Sequence, residues 1–195
     1  MKRLMDILFS LAGLIVLLPL LFLIAVLIKL DSRGRILFSQ ERIGRSFQPF
    51  TMRKFRTMVA DATEKGPLIT AAGDARVTKV GRWLRRTKID ELPELFNVLA
   101  GDMSLVGPRP ELPKYVEMFR DEYQEVLEIR PGITDYAAIE YRNEEDILKR
   151  YPHPEDGYIR EVLPEKLRLY RKYLYSHGVL TDIKIIFMTL RKLTS

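Results

Sequence analysis

The sequence contains no cysteine, so disulfide bridges and thiolate metal sites play no part in it. Histidine is almost as scarce. His153 and His177 stand far apart with no ligand spacing around them, and both read as structural or solvated groups. There is no G-x-x-x-x-G-K-S/T segment and no G-x-G-x-x-G segment, which excludes nucleotide binding by either of those loops. Internal repeats and recognised nucleic-acid-binding motifs are missing as well. What remains is a chain of 195 residues, 47% of them hydrophobic, long enough for one compact domain with its own core. Its net charge of +6 suits an anionic partner. A nucleic acid, a membrane surface and a phosphorylated substrate all satisfy that charge, and charge alone does not choose among them.

A long apolar run occurs once. Residues 7–30 are interrupted only by Ser10, Gly13, Pro19 and Lys29, and a helix of that length crosses a hydrocarbon core of about 30 Å. The run is longer than the apolar part of a typical signal peptide and no small-residue cleavage site follows, so it is expected to stay in lipid. By pattern alone a single spanning helix is the default. Two features point elsewhere. Lys2 and Arg3 precede the run, and Lys29, Arg33 and Arg35 lie at or beyond its end, so the cytoplasmic preference of basic residues applies to both ends. Pro19 removes a backbone hydrogen bond near the middle, so a kink is expected there. A helix that enters, bends at Pro19 and returns satisfies both. Arg3 and Asp6, three residues apart, are spaced to pair at the membrane surface, with ordinary flanking charge as the equal alternative. The chain is thereby divided into a re-entrant, monotopic membrane helix over 1–30 and a cytoplasm-facing domain with interfacial amphipathic helices over 31–195.

The chemistry is concentrated between Thr87 and Glu111, T-K-I-D-E-L-P-E-L-F-N-V-L-A-G-D-M-S-L-V-G-P-R-P-E. Leu92, Leu95, Phe96 and Leu99 recur at helical spacing before Gly101, which predicts a helix over 90–100 with Asp90 as its N-cap and Pro93 in its first turn. A lone Asp before a helix is ordinarily only a cap. Here Asp90 and Glu91 follow Arg82, Arg85, Arg86 and Lys88, so carboxylates and cations gather as they would around a diphosphate and a divalent metal. Arg109, between Pro108 and Pro110, is presented from a stiff extended segment, and its planar fork of donors suits phosphate; a surface turn is the plain alternative.

Around this stretch, residues 36–38 and 50–58 have strand composition on either side of Gly44 and Pro49, which predicts a short hairpin. Its second arm interleaves Arg53, Lys54 and Arg56 with aromatics, a pattern shared by nucleic-acid binders and by strands beside anionic lipid. Residues 61–75 read as a loop able to cover the site. Helices are predicted over 77–88, 115–129, 164–175 and 180–193. Trp83 is assigned equally to the lipid headgroup level and to the core. The last helix is basic and amphipathic, and lies either in the membrane interface or docked on the domain.

The segment K-I-D-E-L-P-E-L-F-N-V-L-A-G-D-M-S-L-V-G-P-R-P resembles the signature of the bacterial sugar transferases, small monotopic phosphoglycosyl transferases that start glycoconjugate assembly on a polyprenol phosphate. The resemblance extends to K-R-L-M-D at 2–6, D-S-R-G at 31–34, R-K-F-R-T-M at 53–58 and R-P-G-I-T at 130–134, and so covers nearly the whole chain. It departs at Leu18, where Ser usually precedes the proline, and at Asp135, Tyr136, Ala138 and Tyr141, where Gly, Trp, Gln and Gly are frequent. The resemblance implies an α/β, mostly helical fold: a re-entrant membrane helix and a compact interfacial catalytic domain with a short β-hairpin, on the cytoplasmic face of the bacterial inner membrane. It implies transfer of a sugar-1-phosphate from a UDP-sugar to polyprenol (undecaprenyl) phosphate through a phosphosugar carried on Asp90, with release of UMP. By the same resemblance Glu91 holds Mg²⁺ with Asp90 or takes a proton, and Lys54, Arg85, Arg109 and Arg142 bind the phosphates and nucleotide. The implied partners are the UDP-sugar, the polyprenol phosphate and inner-membrane lipids, not nucleic acid, with a homodimer left open. A catalytically silent scaffold of the same fold is the main alternative, and the intact Asp90 and Glu91 argue against it.

Overall fold

The computed structural model describes residues 1–62, 66–67 and 69–194, the last two by their backbone alone. The apolar run forms α1 (Lys2–Asp31), a helix of 30 residues, or about 45 Å at 1.5 Å per residue. The helix continues without interruption through Pro19. Among the described residues it is the one helix long and apolar enough to cross a membrane. Asp6, Ser10, Leu14, Leu21, Ile24 and Ile28 are buried, and their three-, four- and seven-residue spacing puts them on one stripe. That stripe packs against Phe55, Leu84 and Leu95. The opposite face leaves Leu8, Ile15, Val16 and Phe22 exposed.

The predicted hairpin is present, longer in its first arm than its composition indicates. β1 (Leu37–Ile43) pairs antiparallel with β2 (Pro49–Phe55), with Phe38 opposite Lys54 and Arg42 opposite Phe50. α2 (Lys79–Thr87) begins at Thr78, whose hydroxyl accepts from the Gly81 amide, and ends at Lys88 in the left-handed region. A 3-10 turn (Ile89–Glu91) follows, then α3 (Glu94–Ala100), closed by Gly101 at φ 97°. The helix expected over 90–100 is therefore split. Asp90 lies inside the 3-10 turn and Pro93 takes the cap position of α3, because Lys88 starts a separate turn and Pro93 cannot donate to the carbonyl one turn back. Phe96, expected on the apolar stripe, is about half exposed.

β3 (Ser104–Val106) pairs parallel with β4 (Gly132–Thr134), a second small sheet that the composition did not announce. The helix expected over 115–129 is two: α4 (Pro113–Met118) and α5 (Arg120–Val126), broken at Phe119, whose backbone leaves the helical region. No proline or glycine accounts for that break. Short helices α6 (Tyr136–Glu140), α7 (Glu144–Leu148) and α8 (Pro154–Gly157) lead through a π turn (Tyr158–Val162) into α9 (Leu163–Ser176) and α10 (Val179–Thr194). Tyr115, Tyr123, Leu163 and Tyr170 centre the main core, between α4, α5 and α9. α10 docks through buried Asp182 and Ile185 and leaves Leu180 and Phe187 exposed, so it is both attached and apolar on its outer side. Trp83 is 46% exposed and is not a core residue.

Both ends of α1 are tied to this domain. Lys2 Nζ lies 2.6 Å from Asp182 Oδ2 and donates to the Val106 carbonyl at 2.9 Å. At the other end, Asp31 Oδ2 accepts from the Val80 amide at 3.0 Å, and Arg56 donates to Ser32 Oγ at 2.7 Å. Arg3 and Asp6, spaced to pair, turn to different partners. Arg3 donates to the carbonyls of Val98 and Leu99 at the end of α3, at 2.6 and 3.0 Å, where the helix dipole favours a cation. Asp6 accepts from Ser104 Oγ and from the Leu105 amide at 3.0 and 3.1 Å.

Candidate active site

One cavity of about 930 Å³ lies between the hairpin, the 3-10 turn, the segment after β3, and the helices α6 and α10. Lys54, Arg85, Asp90, Glu91, Arg109 and Arg142 all line it, although 88 residues separate the first from the last in sequence order. Each is delivered by a different piece of local structure. Lys54 comes from β2, Arg85 from the last turn of α2, and Asp90 and Glu91 from the 3-10 turn that Lys88 sets up. Arg109 depends on a close approach of two glycines. A Cβ on Gly132 would meet Gly107 N at 2.1 Å, and that contact lets Gly107 donate to the Thr134 carbonyl and Gly132 to the Pro108 carbonyl at 3.0 and 2.9 Å. The two prolines then carry Arg109 into the cavity, with its backbone amide held by Asp135 Oδ2 at 2.9 Å.

The carboxylates divide sharply. Glu91 Oε1 receives Lys54 Nζ at 2.8 Å and Arg109 at 2.5 Å. Burial alone pushes the Glu91 carboxyl up, but Arg109 and Lys54 outweigh it and hold Glu91 well below the usual range. It is ionised and engaged. Asp90, its neighbour, is buried, and its Oδ1 has no hydrogen-bond partner. Burial first and the Glu91 charge second raise its pKa, against the pull of Lys54, Lys88 and Arg85. Adjacent positions on a turn point in different directions, which is how two neighbouring carboxylates come to such different environments.

Around them, Arg85 donates to Thr57 Oγ1 at 2.9 Å and pairs with Glu145 at 2.8 Å. Arg142 donates to the Lys192 carbonyl of α10. Sequence reasoning missed Glu94. It is completely buried, neither of its oxygens has a hydrogen-bond partner, and its nearest cation is Lys54 at 3.3 Å. Burial carries its carboxyl up to about 7. Asp135, one of the departures from the resembled pattern, is likewise raised to about 6, chiefly by burial. The cavity also takes in Ala62, Gly66, Pro67, Ile69 and Thr70 from the expected covering loop, of which residues 63–65 and 68 lie outside the described residues. On its other side it reaches Met5 and Phe9 of α1 and Ile183 and Phe187 of α10.

Among the described residues no three acidic or imidazole side chains converge to cage a metal. The donor set fits a hard cation of the kind held by one or two carboxylates and completed by substrate phosphate oxygens. Asp90 Oδ1 supplies an unengaged buried oxygen, and Glu91 stands beside it with its charge shared by two cations.

The sequence profile described as "Bacterial sugar transferase" matches residues 1–195. The chain is 40% identical over 198 residues to the undecaprenyl-phosphate glucose phosphotransferase of Komagataeibacter xylinus, covering 98% of this chain and 35% of that protein. It is 36% identical over 197 residues to the UDP-N-acetylgalactosamine-undecaprenyl-phosphate N-acetylgalactosaminephosphotransferase of Aeromonas hydrophila, covering 97% of this chain and 43% of that protein. It is 37% identical over 196 residues to the exopolysaccharide production protein PSS of Rhizobium leguminosarum bv. phaseoli, covering 97% of this chain and 92% of that protein. The chain thus spans less than half of the first two proteins and nearly all of the third. With its signature residues gathered around one cavity and a profile match along its whole length, it belongs to the bacterial sugar transferase family.

Proposed function

We propose that this chain moves a sugar-1-phosphate from a UDP-sugar to undecaprenyl phosphate in two displacements at one phosphorus. The observation that carries the reading is Asp90: a buried carboxylate with a free oxygen, in a cavity it shares with Lys54, Arg85 and Arg109. In the first displacement an Asp90 oxygen attacks the phosphorus that bears the sugar. The new Asp–O–P bond forms as the diphosphate bridge breaks, and UMP leaves. In the second, an oxygen of the lipid phosphate attacks the same phosphorus and the bond to Asp90 breaks, restoring the carboxylate. A carboxylate is a weak nucleophile in water, so the step depends on desolvation and on cations placed where phosphate charge is redistributed. Burial of Asp90 supplies the first, and Lys54, Arg85 and Arg109 supply the second. Mg²⁺, held by Asp90 and Glu91, would neutralise diphosphate oxygens.

Meeting a soluble donor and a lipid acceptor requires the cavity to lie at the bilayer surface. The outward apolar face of α1 and the exposed Leu180 and Phe187 of α10 support that placement. Both ends of α1 are held by one domain, through Lys2 and Asp31, which supports a helix that dips into one leaflet and returns, with the catalytic domain on the cytoplasmic face. The sugar is identified by a panel of radiolabelled UDP-sugars given with Mg²⁺ to the membrane-bound protein. One donor is expected to release UMP in the absence of lipid and to leave acid-quenched label on the protein, which undecaprenyl phosphate then removes. Release of UMP that requires the lipid from the outset, with no label on protein, would replace the two-step scheme by direct transfer.

A further inference from the structure

The proposed chemistry occupies Asp90, Glu91 and the cations around them and leaves Glu94 without a task. Glu94 opens α3 and is fully buried, and neither carboxyl oxygen accepts a hydrogen bond. A carboxylate in that setting is unfavourable unless a cation or a proton compensates it. Its cation is Lys54, whose ammonium stands 3.3 Å from Glu94 Oε1 and 2.8 Å from Glu91 Oε1, so one charge is forked between two carboxylates. Glu91 has a second cation in Arg109; Glu94 has no ion pair shorter than the one to Lys54. Glu94 does not complete a metal cage, since no three such ligands converge among the described residues.

We propose that Glu94 is a positioning residue that holds Lys54 in this fork and sets how firmly the ammonium grips a donor phosphate. The inference rests on the reading of the cavity as the donor site. A phosphate oxygen that takes the ammonium strips Glu94 of its cation, and the buried carboxylate then takes up a proton. When the product leaves, Glu94 releases the proton and reclaims Lys54. The charges facing Glu94 are Lys54 from β2, Glu91 from the 3-10 turn and Arg109 from the segment after β3, while α1 sets Arg3 against the far end of α3. With burial as the largest influence, they place its titration at about 7, where the exchange is accessible. The sign is fixed by linkage. Donor binding that needs a neutral Glu94 is unimpeded at pH 6 and weakens about tenfold by pH 8.

The test uses the full chain in detergent and the UDP-sugar for which it releases UMP, with KM measured at pH 6 and pH 8. The unsubstituted protein is expected to show a KM about tenfold higher at pH 8, and Glu94→Gln to keep the low value at both, with kcat moving less than KM. In a Lys54→Met background, Glu94→Gln is expected to do nothing further. A Glu94→Gln protein that follows the original pH profile, or that changes KM equally without Lys54, overturns the proposal. Glu94→Met takes the same test should the amide fail to accumulate. Absence of UMP release with every donor removes the donor-site reading itself, and is distinct from turnover that ignores position 94.

Discussion

The seam that fastens α1 to the domain and the turn that carries Asp90 are both at least partly buried, both rich in charge, and built in opposite ways. In the seam, Lys2, Arg3, Asp6 and Asp31 each meet a partner at 3.1 Å or less. In the turn and at the start of α3 behind it, Asp90 Oδ1 and both oxygens of Glu94 accept no hydrogen bond, and Glu94 has only the Lys54 ammonium 3.3 Å away. Buried polar groups are normally satisfied because an orphaned one forfeits its hydration without return. Those four side chains of the seam follow that rule and contribute stability. The turn breaks it and keeps acceptors ready for something that arrives later, a pattern expected where function is held against stability.

The strongest way to break this contrast is to satisfy the turn by mutation. Asp90→Asn removes the carboxylate proposed to attack and the charge that burial disfavours. Turnover is expected to fall by roughly 10⁴-fold or more, as for loss of a covalent nucleophile, in a UMP-release assay. Thermal unfolding at pH 8 is expected to move upward. The sign follows from the raised pKa: a carboxyl easier to protonate in the folded state costs stability once pH passes that value, and an amide does not. Retained turnover would move the nucleophile to another residue. A lower melting temperature would mean that Asp90 is satisfied after all.

Much of the fold and of the candidate site was legible in the sequence, and the missing part has a physical cause. The signature segment and the basic residues around it placed six side chains that the fold brings to one cavity. Periodicity found α1, α2, α9 and α10 because each is amphipathic or apolar over several turns. It did not find the break at Phe119, which no proline or glycine announces. Spacing suggested an Arg3–Asp6 pair, yet spacing cannot weigh a local partner against the carbonyls at the end of α3, and those carbonyls won. Glu94 was invisible for a related reason. A glutamate in the first turn of a helix is usually a solvated charge facing the positive end of the dipole, and only the packing of distant segments, with Lys54 of β2 among them, buries this one.

Glu94 also gives the next largest effect. Its carboxyl rises from the ordinary 4.5 to about 7 on folding, which corresponds to an upper bound of about 3 kcal/mol. The stability it allows is complete below pH 4.5 and is lost as pH climbs through about 7. Glu94→Gln abolishes that loss, while Lys54 gives up one of its two carboxylates. A net gain of about 1–3 kcal/mol at pH 8 and almost none at pH 5 is therefore expected from denaturant titration at the two pH values. A loss at both would put Glu94 on the satisfied side of the comparison.

The seam offers the finest division, because one stripe of α1 buries both kinds of polar group. Asp6 is 4% exposed and accepts from Ser104 Oγ and the Leu105 amide, whereas Ser10, one helical turn on, is 0% exposed with no partner for its hydroxyl. Asp6→Ala strands two donors and opens a small void, so a loss of about 2–3 kcal/mol is expected. Ser10→Ala strands nothing and removes a group whose desolvation was never compensated, so the change is expected to lie within about 0.5 kcal/mol of zero or to stabilise slightly. Both variants leave the turn that carries Asp90 unchanged, and membrane association is expected to survive in each because the outward apolar face of α1 is untouched. Equal losses at positions 6 and 10 would show that the stripe is held by packing alone, and that its hydrogen bonds to Ser104 and Leu105 contribute nothing to fastening α1 to the domain.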